Sequence, residues 1–139
     1  MVYNVFVYGS LRQGFGSEAY QYISHYFNLV SMASIEGALY DLGPYPAAKP
    51  TAEGHRIIGE LYTIKDPDEW NWAIGQLDDY EGVNPSYDEP ALYERQLTTV
   101  TLADGSRQQA WVYWYTRPVE GYPIVASGDV LEYMRERMG

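Results

Sequence analysis

Apolar residues between Trp70 and Leu77 recur every three or four positions, which predicts a helix with one buried stripe. The stripe consists of Trp70, Ala73, Ile74 and Leu77. Asp66 can cap the helix, Glu69 stands where a capping box has its glutamate, and Gly82 is placed to end the helix. Continuing the stripe by four residues reaches Glu81. An acidic side chain is therefore predicted on the core-facing side of the last turn.

This position predicts unusual chemistry for Glu81. Burial and the negative end of the helix dipole both disfavour a carboxylate, so its pKa should be raised. A carboxyl group with a raised pKa suits general acid/base catalysis near neutral pH. The alternative is that the helix end frays, and that Glu81 turns into solvent or pairs with a basic residue or a tyrosine.

Strands are predicted for the β-branched and aromatic runs. These runs span residues 2–8, 29–42, 57–64, 92–102 and 108–115. Gly37 and Gly59 interrupt two of them, which is typical of bulges or bends. Asp104 and Gly105 predict a hairpin between the last two strands. A proline-rich loop is expected over residues 84–90.

Two further helices are predicted, and together the elements indicate the fold class. One helix follows Ser17 and has apolar positions as far as Phe27, and the other follows Asp129. We expect an α+β fold: a small mixed, mostly antiparallel β-barrel with packed helices. The length of 139 residues fits one domain over residues 1–139.

The net charge of −10 limits the partners that we expect. An acidic surface repels nucleic acid and anionic membranes, and no cluster of Lys and Arg offsets it. No apolar run approaches the roughly 20 residues that cross a bilayer. The chain has no cysteine, and its first residues do not resemble a signal peptide, so a cytoplasmic location is expected. The oligomeric state is not predicted.

Several familiar catalytic sites are excluded by their motifs. The chain has no G-x-S-x-G elbow, no Walker loop and no dinucleotide fingerprint. His25 and His55 lack metal-ligand spacing, so no metal site is predicted. The loop from Tyr8 to Leu11 remains, since its backbone N–H groups precede a helix and can bind an anion. A simple turn after a strand is the alternative for this loop.

Seven short motifs, taken in order along the chain, resemble the gamma-glutamyl cyclotransferase-like family. They are Val7-Tyr8-Gly9-Ser10-Leu11-Arg12, Gly43-Pro44-Tyr45-Pro46-Ala47, Gly59-Glu60-Leu61-Tyr62, Leu77-Asp78-Asp79-Tyr80-Glu81-Gly82, Tyr93-Glu94-Arg95, Ala110-Trp111-Val112-Tyr113 and Ser127-Gly128-Asp129. Each motif is short, but the series covers nearly the whole chain.

The resemblance implies a β-barrel enzyme that needs no cofactor. Its implied reaction is the cleavage of a γ-glutamyl amide by the substrate's own α-amine, with release of 5-oxoproline and an amine or amino acid. It also implies that Glu81 is the acid/base and that the loop formed by Tyr8, Gly9, Ser10 and Leu11 binds the glutamyl group.

Tyrosines are expected to complete the pocket, although packing in the core is an equal alternative for each of them. Tyr93 is the first candidate for a hydrogen bond to Glu81 or substrate, followed by Tyr87, Tyr115 and Tyr122. The rival prediction for the protein is a non-catalytic small-molecule binding or regulatory module of the same fold. A buried acid favours the enzyme, because a pure binder gains little from it.

Overall fold

A computed structural model describes residues 2–43, 45–51, 54–83 and 91–138. The predicted loop at 84–90, which includes Tyr87, lies outside the described residues. The elements in chain order are β1 Asn4–Val7, α1 Tyr20–Ser24, β2 Phe27–Glu36, β3 Ala38–Asp41, β4 Pro46–Lys49, β5 Arg56–Ile64, a 3₁₀ turn Pro67–Glu69, α2 Trp70–Glu81, β6 Tyr93–Leu102, β7 Arg107–Tyr115 and α3 Val130–Met138.

Five strands form a closed barrel in the order β1-β5-β2-β6-β7. Its neighbouring strands are antiparallel except at the closure, where β1 pairs with β7 in parallel through Val5 and Trp111. Strands β3 and β4 form a separate hairpin. The predicted α+β fold, a mostly antiparallel barrel with packed helices, is confirmed.

Alternation along β1 divides the core into two apolar clusters. Phe6 and Tyr8 point into the barrel, where they pack with side chains such as Leu61 and Val112. On the outer face, the buried residues are Val5, Val7, Ile23, Tyr62, Trp70, Ala73, Leu77 and Tyr113, among others. Helix α2 therefore lies against the outside of the barrel, and its C-terminal end is held near the end of β1.

The boundaries of α2 follow the sequence prediction, with one correction at the start. The Asp66 carboxylate accepts from the Asp68 N–H, but Glu69 makes no side-chain cap hydrogen bond, so the predicted capping box is wrong. The 3₁₀ turn is tighter than the helix that a capping box requires. Gly82 ends the helix in the left-handed conformation, as expected.

Two other predictions of local structure are corrected. The helix after Ser17 contains only Tyr20–Ser24, because Phe27 already pairs with Ile64 as the first residue of β2. The run 29–42 is divided into β2 and β3 at Gly37. A Cβ at Gly37 would lie 2.9 Å from Ile57 Cδ1 and 3.0 Å from a backbone oxygen. Any side chain at position 37 would therefore clash with its neighbours.

Among the described residues, no helix has both the length and the apolar character needed to cross a membrane.

Candidate active site

A cavity of about 270 Å³ lies where the end of β1, the start of β4 and the end of α2 meet. Of the predicted site residues, the structure describes eight, all except Tyr87. Six of them line the cavity: Tyr8, Gly9, Ser10, Leu11, Glu81 and Tyr93. The cavity thus brings together the loop and the carboxyl group that the sequence singled out, although about seventy positions separate them along the chain.

Glu81 is the last residue of α2, and its carboxyl group reaches the cavity. Burial raises the pKa of this carboxyl group to about 8, in the direction expected from the sequence. No described residue donates a hydrogen bond to this carboxyl group. Since no fully buried side-chain oxygen or nitrogen described in the structure lacks a partner, the Glu81 oxygens are open to the cavity. The carboxyl group therefore retains its hydrogen-bonding capacity for a molecule in the cavity.

Helix α2 is fixed to the barrel one turn before Glu81. Asp78 accepts two hydrogen bonds from Arg95, at 2.8 and 3.1 Å, and a third from the Tyr113 hydroxyl at 2.7 Å. The Arg95 guanidinium also lies 4.5 Å from the centre of the Trp111 ring. These contacts to β6 and β7 determine where Glu81 enters the cavity.

The loop opposite Glu81 begins with a tight turn, in which the Arg12 N–H donates to the Gly9 carbonyl at 2.9 Å. The N–H groups of Gly9, Ser10 and Leu11 donate to no acceptor among the described residues. Gly9 does not need a left-handed conformation, but a Cβ there would lie 2.9 Å from Pro46 Cγ. The loop can therefore approach the β3–β4 hairpin only with glycine at this position.

A buried ionic network holds the far end of this loop. The Arg12 guanidinium contacts Glu60 on β5 at 3.1 Å and Asp129 before α3 at 2.9 Å. Glu60 also accepts from the Gln13 N–H and from the Tyr62 hydroxyl. Since Arg12 closes the turn that begins at Gly9, the network fixes the direction of the N–H groups in between.

Tyr8 and Tyr93 form neutral walls of the cavity. The Tyr8 hydroxyl donates to the Tyr113 carbonyl at 2.6 Å, and the Tyr93 hydroxyl donates to the Pro46 carbonyl at 2.9 Å. Burial, and then nearby acidic groups that include Glu81, raises the pKa of both hydroxyls. Both hydroxyls therefore stay protonated. Since each proton is donated to a backbone carbonyl, the hydroxyl oxygens can act only as acceptors toward the cavity.

Comparisons with known proteins identify the family of the chain. The family model described as "Gamma-glutamyl cyclotransferase, AIG2-like" matches residues 5–132. The chain belongs to this family. A protein of Escherichia coli strain K12, the "Gamma-glutamylcyclotransferase family protein YtfP", is 33% identical over 128 residues, which cover 92% of this chain and 96% of the relative.

Solved structures give the same fold. The solution structure of protein ytfP from Escherichia coli matches with a TM-score of 0.63 and 32% identity, over 94% of this chain and 98% of that one. The crystal structure of an aig2-like protein from Mus musculus has a TM-score of 0.66 over 86% of this chain and 80% of that one, and at 22% identity it supports the fold alone. The predicted membership of this family, and with it the class of cyclotransferase-like enzyme, is confirmed.

Two predicted site residues of this family member lie away from the cavity lining. Tyr115 packs behind Tyr93, with ring centres 5.3 Å apart. Tyr122 is 46% exposed and does not line the cavity. Tyr115 can support the Tyr93 wall, whereas the geometry gives no support to contact between Tyr122 and substrate.

The sequence reasoning did not single out several residues that line the cavity. Four of them are Tyr45, Pro46, Tyr80 and Tyr113. Each lies within a motif of the family resemblance, and Tyr80 directly precedes Glu81. The motifs were thus an available signal, but they did not show which of their residues face the cavity.

Metal binding has no support in the described part of the chain, where no group of three or more His, Cys, Asp or Glu side chains could hold an ion. His25 and His55 are both exposed.

Proposed function

We propose that the protein cleaves γ-glutamyl amides by attack of the substrate's own α-amine on the γ-carbonyl carbon, releasing 5-oxoproline and an amine or amino acid. The observation that carries this proposal is the Glu81 carboxyl group, which is half-buried, lacks a protein partner among the described residues and faces the cavity. Family membership supports the reaction class.

Glu81 acts first as a base. The α-ammonium group of the substrate cannot attack until it loses a proton, and a carboxylate beside it can accept that proton. With a pKa of about 8, the Glu81 carboxyl group can both accept and release a proton near neutral pH. Its pKa is also closer to that of an amine than the pKa of an ordinary carboxyl group is.

Glu81 then acts as an acid. As the new bond between the α-nitrogen and the γ-carbon forms, a tetrahedral centre develops, and the bond to the leaving nitrogen breaks. The α-nitrogen gives up two protons as its ammonium group becomes the amide N–H of 5-oxoproline. Glu81 passes the first proton to the leaving nitrogen as the old C–N bond breaks. It then passes the second, from the new ring nitrogen, to the released amine, which leaves as an ammonium ion. The atoms balance without water, and the enzyme returns to its initial protonation state.

The loop opposite Glu81 binds the glutamyl end of the substrate. The N–H groups of Gly9, Ser10 and Leu11 are suited to the α-carboxylate, and a donor among them can stabilise the developing oxyanion. Holding the glutamyl chain bent brings the amine to the carbonyl and supplies the entropic advantage of an intramolecular reaction.

The test is a screen of γ-glutamyl amino acids, peptides and amines for 5-oxoproline release, measured by mass spectrometry. Turnover of at least one compound is expected, and its Nα-acetylated analogue should be inert because the nucleophile is blocked. Release of free glutamate would identify water as the nucleophile and refute the cyclisation. Binding of γ-glutamyl compounds without any turnover would instead favour the non-catalytic binding module.

A further inference from the structure

A second cavity of about 380 Å³ lies beside the first one. It is bounded by α3, the β3–β4 hairpin and the loop after β1. Tyr45 and Pro46 line both cavities, so this dipeptide forms the rim between them. Tyr45 is half-buried, and its ring also approaches Tyr93 in the first cavity, at 6.4 Å between ring centres.

The walls of the second cavity, which we call the α3 groove, are mainly apolar. Its apolar side chains are Phe15, Val125, Val130, Tyr133 and Met134. Phe15, Tyr133 and Met134 pack against the barrel core but remain partly exposed, so the groove has an apolar surface that solvent reaches.

The charged groups of the α3 groove are paired with each other. Asp41 on β3 accepts from the Tyr133 hydroxyl at 2.8 Å and from Arg137 at 2.6 Å. These bonds hold α3 against the hairpin. Asp41 and Arg137 are the charged residues described in this groove, and their charges neutralise each other. The groove therefore offers a ligand no net positive or negative charge.

We propose that the α3 groove binds the leaving group of the γ-glutamyl amide and selects apolar amines. This inference rests on the proposed function. The Glu81 cavity is smaller than the roughly 300–1,000 Å³ typical of ligand pockets, and the glutamyl group occupies it. The rest of the bound substrate must therefore extend over the rim of this cavity. At the rim formed by Tyr45 and Pro46, the adjoining space is the α3 groove.

The chemistry of the groove identifies the class of substrate. An aromatic or branched aliphatic side chain on the leaving amine gains by burying apolar surface against Phe15, Val130 and Met134. A leaving glycine has no side chain to place there. The groove is thus a specificity site for the amine, while Gly9 to Leu11 and Glu81 act on the glutamyl part that all substrates share.

The test compares L-γ-glutamyl-L-phenylalanine with L-γ-glutamylglycine in a 5-oxoproline assay. The kcat/KM for the phenylalanine compound is expected to be about tenfold higher or more, since a buried aromatic ring contributes at least that much. Equal values, or a preference for the glycine compound, would overturn the α3 groove as an apolar subsite.

Two substitutions at Met134 then locate the effect. Met134→Gln keeps the length of the side chain but makes it polar, and it should lower the ratio of the two kcat/KM values several-fold, mainly through KM. Met134→Leu keeps an apolar side chain and should leave the ratio close to that of the wild type. Circular dichroism checks that both variants are folded.

The outcomes separate this inference from the proposed function. Turnover of both compounds with a ratio that Met134→Gln does not change would refute the subsite and leave the cyclisation intact. No 5-oxoproline from any γ-glutamyl compound with the wild-type protein would refute the proposed function, and the subsite with it.

Discussion

Glu60 and Glu81 are both acidic residues near the loop after β1, but their surroundings differ completely. Glu60 is 4% exposed and accepts hydrogen bonds from Arg12, Gln13 and Tyr62. For Glu81, no described residue donates a hydrogen bond, and burial raises its pKa to about 8. Hydrogen bonds thus compensate the desolvation of Glu60, which holds the loop. No such bonds compensate Glu81, which faces the cavity.

This difference shows that partners, more than depth, decide what a buried acid can do. A carboxylate that accepts from a guanidinium and two further donors has its desolvation offset by these bonds, and it fixes the chain around it. For a carboxyl group without such partners, desolvation disfavours the charged form. Its pKa rises, and the group is protonated at a higher pH than usual. The same residue type therefore has a structural role at Glu60 and is available for proton transfer at Glu81.

The largest expected effect is on turnover in Glu81→Gln. The amide keeps the shape of the side chain but cannot transfer a proton, so 5-oxoproline release should fall about 10²–10⁴-fold or more. The matched control is Asp79→Asn, the same chemical change at an exposed position of α2, which should keep activity near the wild-type level. Near wild-type turnover in folded Glu81→Gln would remove Glu81 from the mechanism.

The next effect is on stability in Arg12→Met. Removing the guanidinium leaves Glu60 buried without its cation, which should cost about 3–5 kcal/mol in the free energy of unfolding, measured with urea. Arg137→Met is the control, because the Arg137 side chain is 64% exposed and its pair with Asp41 should contribute less than about 1 kcal/mol. Equal losses in the two variants would contradict the structural role assigned to the Arg12 network.

The pH dependence of stability provides a separate test of the pKa of Glu81. Its pKa is about 8 in the folded state against an ordinary 4.5, so between these values the folded protein binds more protons than the unfolded chain. The free energy of unfolding should therefore fall, through this group, as pH rises from 4.5 to 8.

Glu81→Gln removes this contribution. The free energy of unfolding of the variant should be close to that of the wild type at about pH 4. Above pH 8 it should exceed the wild-type value by up to about 5 kcal/mol. Urea unfolding of both proteins across this range measures the difference. A difference that does not vary with pH would show that burial leaves the pKa of Glu81 at its ordinary value.

The smallest effect is expected from Ser10→Ala. The variant keeps the backbone N–H and loses only the hydrogen bond of 2.5 Å between the Ser10 and Tyr80 hydroxyls, so KM should change no more than several-fold. Gly9→Val should raise KM far more, since its Cβ would push against Pro46 on the cavity rim. A trapped acyl group on Ser10 would contradict the assignment of Glu81 as the only reacting group of the protein.

The sequence predicted those parts of the site that local patterns determine. The helical spacing in α2 predicted that Glu81 lies on the core-facing side. The glycine after β1 indicated the loop from Tyr8 to Leu11, whose N–H groups can bind an anion. Tyr45 and Tyr113 were not found, because their place in the lining depends on how the separate hairpin and β7 meet the end of β1. Periodicity within one segment carries no information about such distant contacts.

The first helix shows a different limit of sequence reasoning. The apolar spacing from Ala19 to Phe27 fits a helix, yet pairing of Phe27 with Ile64 starts a strand there. Tertiary pairing overrides local propensity when the same residue can satisfy two patterns. The fold class was predictable nonetheless, since it depended on the number of strands and on their interruption by glycines rather than on one boundary.

The pairing of Val5 with Trp111 also has a consequence for how the protein is made. Strand β1 is translated about 50 residues before its neighbour β5 and about 100 residues before its neighbour β7. Such distant pairings slow folding, because the entropy of closing a long loop is lost before the stabilising contacts form. We therefore expect the cavity to form only after β7 has been made, and nascent chains that end before β7 to lack it.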